Sequence, residues 1–186
     1  MPPSARLSTA IRARPLAGSG QTARAAAGAP TRPVDNDDVA QFLMRFVNGP
    51  DGARGAIGTI GTSRIGTGRK MGLTYEIQGT SDALCFTQER MNELKLYRHT
   101  DPPAERGYKT IYLAPEHPGY RAFHPIPGNA LGYNDQKIIE ARELICAIAE
   151  GRPAEPDFAF GHKITQTIDA VLKSIEERRW VRVEEV

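Results

Sequence analysis

Apolar and polar positions along this 186-residue chain change period once, near residue 133. Ahead of that point the pattern is the alternation of strands. Residues 5–13 read as a strand with Leu7 and Ile11 on one face, and residues 15–34 as a Pro/Gly/Ala-rich loop. Val39 to Val47 sets Ala40, Phe42, Met44 and Phe46 on one side, Gln41 and Arg45 on the other. The turn residues Asn48-Gly49-Pro50-Asp51-Gly52 join that strand to a second arm, Ala53–Ile65, as a hairpin. Gly55, Gly58 and Gly61 recur along the second arm, where they weaken a strand and allow another surface to approach closely. Leu73, Tyr75 and Ile77 alternate with Thr74, Glu76 and Gln78, and short strands are predicted at 83–87, 93–97 and 108–113. Residues 114–132 carry no periodicity.

Beyond that loop the period becomes helical. Asn134 is placed to cap a helix with Ile138, Ala141, Ile145 and Ile148 on one stripe, ended by Gly151-Arg152-Pro153. Asp157 is placed to cap a second helix with Ile164, Ile168, Val171 and Ile175 at helical spacing. Trp180–Val183 reads as a last short strand. Six or seven strands followed by two helices predict an α+β fold: a largely antiparallel open sheet with the two C-terminal helices packed on one face. Since no strand leads into a helix until late, a Rossmann or P-loop order does not fit.

Composition narrows the function. With 40% hydrophobic and 25% charged residues the chain suits a globular domain with a full core. A net charge of +2 gives no long-range pull on nucleic acid or anionic lipid, and no apolar run reaches the ~18 residues of a membrane span. Cys85 and Cys146, both in apolar settings, make neither a disulfide framework nor a zinc site and are expected as buried thiols. The acid-free, arginine-rich start superficially suits a transit peptide. Yet residues 6–14 alternate as a strand does, and Pro15, Gly18 and Gly20 break any amphipathic helix, so the expected location is the cytoplasm.

Candidate chemistry is sparse. Gly66-x-Gly68-x-x-x-Gly72 is one residue too long for a dinucleotide fingerprint and leads into a strand, where a phosphate site needs a helix N-terminus. Arg64, Arg69 and Lys70 leave a cationic cluster at that loop, able to touch a ligand or a neighbouring subunit. His117 and His124 lie on the long irregular loop, where binding residues concentrate, and can hydrogen-bond a hydroxylated substrate. Tyr133 at the helix start is free to point into a cleft. His99 and His162 have no ligand spacing; no metal site and no catalytic triad is recognisable. Asp35, Asp37 and Asp38 suit a turn and a sheet edge.

Taken in order, several segments resemble the C-terminal domain of the Gfo/Idh/MocA family of glucose–fructose oxidoreductase and inositol dehydrogenase. They run from Val34-Asp35-Asn36-Asp37-Asp38 through Thr62-Ser63-Arg64, Thr67-Gly68-Arg69-Lys70 and Tyr75-Glu76-Ile77-Gln78-Gly79. They continue with Glu89-Arg90-Met91-Asn92-Glu93-Leu94, Pro115-Glu116-His117-Pro118, Gly132-Tyr133-Asn134-Asp135, Ala147–Pro153 and Asp169-Ala170-Val171-Leu172-Lys173-Ser174. The resemblance covers residues 5–183 and implies one domain over 5–186, with 15–34 as a variable loop and 1–4 as a disordered start. It also implies a Rossmann-type domain binding NAD or NADP, a Glu-Lys-Pro lysine and an Asp/His pair, none of which these 186 residues contain.

The expectation is therefore the substrate-binding and oligomerisation part of an NAD(P)-dependent sugar or cyclitol oxidoreductase. It would hold no cofactor and no catalytic residue of its own, and be inactive without a nucleotide-binding partner. Arg64, Arg69, Lys70, His117, His124 and Tyr133 would bind the substrate, and the sheet would join copies into a homo-oligomer. The enzyme reading goes with a split or truncated reading frame; the alternative is a non-catalytic dimeric sugar-binding or scaffold protein.

Overall fold

A computed structural model of the protein describes residues 5–16, 25–47 and 55–186. Among them nine strands precede two helices: β1 (Ala5–Ser8), β2 (Ala13–Pro15), β3 (Thr31–Pro33), β4 (Val39–Arg45), β5 (Ile57–Ser63), β6 (Thr74–Gln78), β7 (Asp82–Thr87), β8 (Glu93–Arg98), β9 (Lys109–Tyr112), α1 (Tyr133–Glu150) and α2 (Phe158–Glu177). Every pairing is antiparallel and every sheet open, so the α+β class with two C-terminal helices holds. The strands are shared among three sheets rather than one. The chain divides into two compact units, residues 1–67 with 158–186 and residues 68–157.

In the first unit β4 is central, flanked by β1 and β5. Its alternation is the one the sequence predicts: Ala40, Phe42 and Met44 are half-buried while Gln41, Leu43 and Arg45 are exposed. The β4–β5 register runs from Val39 opposite Ser63 to Arg45 opposite Ile57. The predicted turn at 48–52 lies outside the described residues, as do residues 1–4 and part of the 15–34 loop. Of the three glycines on the second arm, Gly55 has φ +84°, a conformation that favours glycine. A methyl group at Gly58 or Gly61 would meet its nearest neighbours at ordinary distances of 3.7 and 3.8 Å, so no close approach among the described residues explains them.

The predicted strand at 5–13 breaks after Ser8, because Asp38 pulls the chain out of line. Its buried carboxylate accepts the Ile11 N–H at 2.8 Å and an Arg14 Nη2–H at 2.7 Å. The Ile11 bond, helped by the Arg14 charge, holds this carboxyl below its ordinary range against the opposing effect of burial. Beyond the break β2 pairs with β3, Arg14 opposite Arg32, so the two ends of the 15–34 loop are a short ladder rather than irregular chain. α2 buries Ala170 and Ser174. Residues 180–183 form no strand; a 3-10 turn at Val183–Glu185 follows instead, drawn down by Arg179, which grips the Glu185 carboxylate at 2.6 Å.

The second unit holds the sheet β6-β7-β8-β9. Its register puts Tyr75, Ile77, Leu84, Phe86, Leu94, Leu96 and Ile111 on one face and Glu76, Cys85, Lys95, Tyr97 and Thr110 on the other. On the second face the Tyr108 hydroxyl donates to Glu76 Oε1 at 2.7 Å. Helix α1 is capped by Gly132, not Asn134: the Asp135 carboxylate reaches back to accept the Gly132 N–H at 2.8 Å. It ends at Gly151 in the left-handed conformation. Its expected apolar stripe is exposed at Ile138, Ile145 and Ile148, while burial follows the neighbouring row of Ile139, Glu143, Cys146 and Ala147. Cys85 and Cys146 are unbridged thiols and half-buried, not buried as their apolar neighbours suggest.

Candidate functional site

The glycine-rich segment at 66–72 ends in the second unit, and one acid shapes it. Glu89, in a 3-10 turn over Gln88–Arg90 that follows β7, accepts an Arg69 Nη1–H at 2.7 Å and the Lys70 N–H at 2.8 Å. The Met71 N–H points at the same oxygen from 3.4 Å. The Arg69 hydrogen bond and then the Lys70 amide hold the Glu89 carboxyl below its ordinary value. The folded-back loop also brings Gly72 close to Arg69: a methyl group there would meet the Arg69 stem at 3.1 Å, and the stem would have to give by a few tenths of an ångström. Gly68, with φ +97°, supplies the bend.

This folding-back opens a cleft of about 500 Å³ lined by Lys70, Met71, Gln88, Glu89, Met91 and Tyr133. Tyr133 enters from the first turn of α1 and is 45% exposed. Lys137 stands 5.8 Å over its ring, where a cation meets the negative π-face. Lys70 makes no ion pair among the described residues, because Glu89 takes the backbone N–H of Lys70 and the side chain of Arg69. The surface of the cleft is mostly apolar, and four of the residues lining it carry a polar group: the Lys70 ammonium, the Tyr133 phenol, the Gln88 amide and the Glu89 carboxylate. Such a lining gives hydroxyl groups donors and acceptors and gives C–H surfaces apolar contact.

Of the six residues singled out from the sequence, Lys70 and Tyr133 share this cleft. Arg69 stands beside it with its guanidinium turned onto Glu89. His117 is committed to its own loop: Nδ1 lies 2.9 Å from the Ala114 N and 3.2 Å from the Ala114 carbonyl oxygen. His124 is only 2% exposed, and neither ring nitrogen has a partner among the described residues. Arg64 belongs to the first unit, exposed after β5, with its backbone N–H donating to the Asp38 carbonyl at 2.9 Å.

Gln88, Glu89, Met71 and Met91 were not singled out. Hairpin arithmetic could have found Glu89: Gln78 opposite Ala83 puts Thr74 opposite Thr87, and the residues after β7 then face the glycine-rich loop before β6.

The loop does not suit a dinucleotide. It runs into strand β6, so no helix N-terminus faces a pyrophosphate there. Among the described residues no group of His, Cys, Asp and Glu is gathered so as to hold a metal ion, and no helix is long and apolar enough to cross a membrane.

No family model matches the chain. Levoglucosan dehydrogenase of Pseudarthrobacter phenanthrenivorans is 38% identical over 184 residues, which are 97% of this chain and 45% of that protein. The solved structure of levoglucosan dehydrogenase in complex with NADH and L-sorbose superposes with a TM-score of 0.84 at 37% identity, over 97% of this chain and 43% of that one. An oxidoreductase domain protein from Kribbella flavida does so with a TM-score of 0.82 at 38% identity, over 97% and 45%. This chain thus spans a little under half the length of its relatives. Homologous over nearly its whole length to the C-terminal part of such a dehydrogenase, it belongs to the Gfo/Idh/MocA family.

Proposed function

We propose that this chain is the sugar-binding and subunit-contacting part of an NAD(P)-dependent oxidoreductase acting on a sugar or cyclitol, inactive without a nucleotide-binding part. The observation that carries the reading is the cleft of Lys70, Gln88, Glu89 and Tyr133 around Met71 and Met91, in a chain 38% identical to a levoglucosan dehydrogenase along 97% of its length. Lys70 Nζ and the Tyr133 hydroxyl donate to sugar oxygens, the Glu89 carboxylate accepts from a sugar hydroxyl, and the Gln88 amide does either. The two methionines cover the C–H face of the ring. A nicotinamide bound elsewhere in the complete enzyme supplies the hydride acceptor. The work of these residues is to hold the reacting carbon in one orientation and to keep bulk water from the ring.

Titration calorimetry of the chain with levoglucosan, L-sorbose and myo-inositol tests this. Binding of at least one sugar is expected, weakened about tenfold by Lys70→Ala or Tyr133→Phe, since each removes a hydrogen bond worth up to ~1.5 kcal/mol. Absence of binding to all three, or affinity untouched by both substitutions, defeats the reading.

A second reading, a non-catalytic dimeric sugar-binding or scaffold protein, is favoured by the exposure of Leu73, Tyr75 and Ile77 along and beside β6. The two separate by oxidation: the second leaves no role for a nucleotide-binding part, so adding one to the chain would yield no sugar-dependent reduction of NAD or NADP.

A further inference from the structure

We propose that Asn92 is the positioning residue of this cleft: it closes the loop 113–131 onto a single point and thereby sets where Tyr133 stands. The functional half of this inference rests on the reading of the cleft as a sugar site; the structural half does not. Asn92 follows Met91, a wall of the cleft, and immediately precedes β8. Its backbone carbonyl accepts the Leu113 N–H at 2.8 Å, just past the end of β9. Its side-chain amide makes two bonds to a single residue: Nδ2 donates to the Leu131 carbonyl at 2.9 Å, and Oδ1 accepts the Leu131 N–H at 2.8 Å. The two Leu131 bonds also fix the orientation of the amide, since the reverse assignment would set donor against donor and acceptor against acceptor.

One residue thus holds both ends of a segment that forms no strand or helix of its own. Leu131 is 7% exposed, and its backbone groups, partly withdrawn from water, need these partners. Gly132, the cap of α1, comes next, and Tyr133 after it. Where Leu131 is fixed, so is the start of α1 that brings Tyr133 into the cleft with Lys70 and Met91. The opposite wall is held by Glu89, three residues before Asn92, through the Lys70 N–H and the Arg69 side chain. Residues 88–92 accordingly tie down both flanks of the cleft, and Asn92 does so without lining it. An asparagine is needed: aspartate offers no donor to the Leu131 carbonyl, leucine offers neither bond, and glutamine is longer by a methylene.

The test uses the full chain with Asn92→Leu, which keeps the branching at Cγ and loses both side-chain bonds, and Asn92→Asp, which keeps shape and one acceptor. Hydrogen exchange by mass spectrometry reads the loop. The fluorine spectrum of chain carrying 3-fluorotyrosine reads Tyr133, its line assigned by Tyr133→Phe. In Asn92→Leu the amides of 113–132 should exchange about tenfold faster, as expected for loss of a buried bond of ~1.5 kcal/mol. The Tyr133 line should broaden or split while β7 and β8 keep their protection, and Asn92→Asp should fall between. Affinity for the bound sugar should drop about tenfold in Asn92→Leu. An unchanged loop overturns the proposal, as does a loosened loop with the Tyr133 line and the sugar affinity unmoved. If Asn92→Leu loses the protection of β7 and β8 as well, Asn92→Asp decides by the same readouts. A wild-type chain that binds no sugar removes the sugar reading of the cleft, while exchange and fluorine still decide the role of Asn92.

Discussion

Glu89 shows how much of a site one side chain can organise. Its carboxylate gathers the Arg69 guanidinium and the Lys70 N–H, and that leaves the Lys70 ammonium available to the cleft. Because these bonds are made to the charged form, they lower the folded-state pKa of Glu89 below its unfolded value. The sign of the linkage follows: the tether contributes in full above the unfolded value of about 4.3 and is lost as pH falls through the lower folded value. Protection of the Lys70 amide should stay constant from pH 8 to pH 5 and fall only beneath the ordinary carboxylate range. Glu89→Gln should show several-fold weaker protection at pH 7 and no such acid transition, followed by hydrogen exchange across the series. A transition near neutral pH, or none in the wild type, would assign the loop's order to something other than Glu89. The pair is exposed, so salt should weaken it as well.

Among the elements, α2 has apolar positions that stay exposed among the described residues. Ile164, Ile168 and Leu172, spaced four apart on one face, are 50%, 55% and 41% exposed, while Ala170 and Ser174 on another face are buried. Replacing Ile168 by Lys should therefore change the stability of the chain by less than about 0.5 kcal/mol in urea unfolding, as for an exposed site. If copies of the proposed homo-oligomer join through this stripe, their association in light scattering should fall, because a charge in the middle of an apolar stripe opposes burial of that stripe. A loss of several kcal/mol would mean the stripe is covered within the chain. The same elements show what the sequence made legible. The period-2 runs at β4 and β6 and the period-3.6 runs at both helices were readable as elements, because each period matches the repeat of its backbone, yet only β4 also buries the alternate side chains that its pattern marks. What α1 buries was not readable: Ile138 and Ile139 are adjacent, and which of them turns inward depends on packing that a periodicity does not contain. The break after Ser8 was hidden for a similar reason. It depends on Asp38 reaching Ile11 across 27 residues, a tertiary bond no local pattern announces. In the cleft, Lys70 and Tyr133 were marked by residue type, whereas Glu89 and Asn92 act through backbone groups of other segments and carry no local signature.

The whole molecule sets the limit on what these residues do alone. Oxidising a carbinol carbon requires a bound sugar, a hydride acceptor held against it and a base for the hydroxyl proton. On the proposed reading the cleft answers the first requirement, and its relative levoglucosan dehydrogenase, more than twice as long, is known in complex with NADH. The chain by itself is accordingly expected to reduce neither NAD nor NADP with any sugar, followed at the nicotinamide absorbance. Exchanging it for the matching part of the Pseudarthrobacter levoglucosan dehydrogenase should restore sugar-dependent reduction. In that chimera Lys70→Ala should raise KM about tenfold and leave kcat within about twofold, because a hydrogen bond to a non-reacting hydroxyl is equally strong before and during hydride transfer. A large fall in kcat instead would put Lys70 at the reacting hydroxyl. A chimera that folds and binds NADH yet oxidises none of levoglucosan, L-sorbose and myo-inositol would remove the oxidoreductase reading. Turnover by the isolated chain would remove the need for a second part, since it would require a dinucleotide site among residues that lead only from loop to strand.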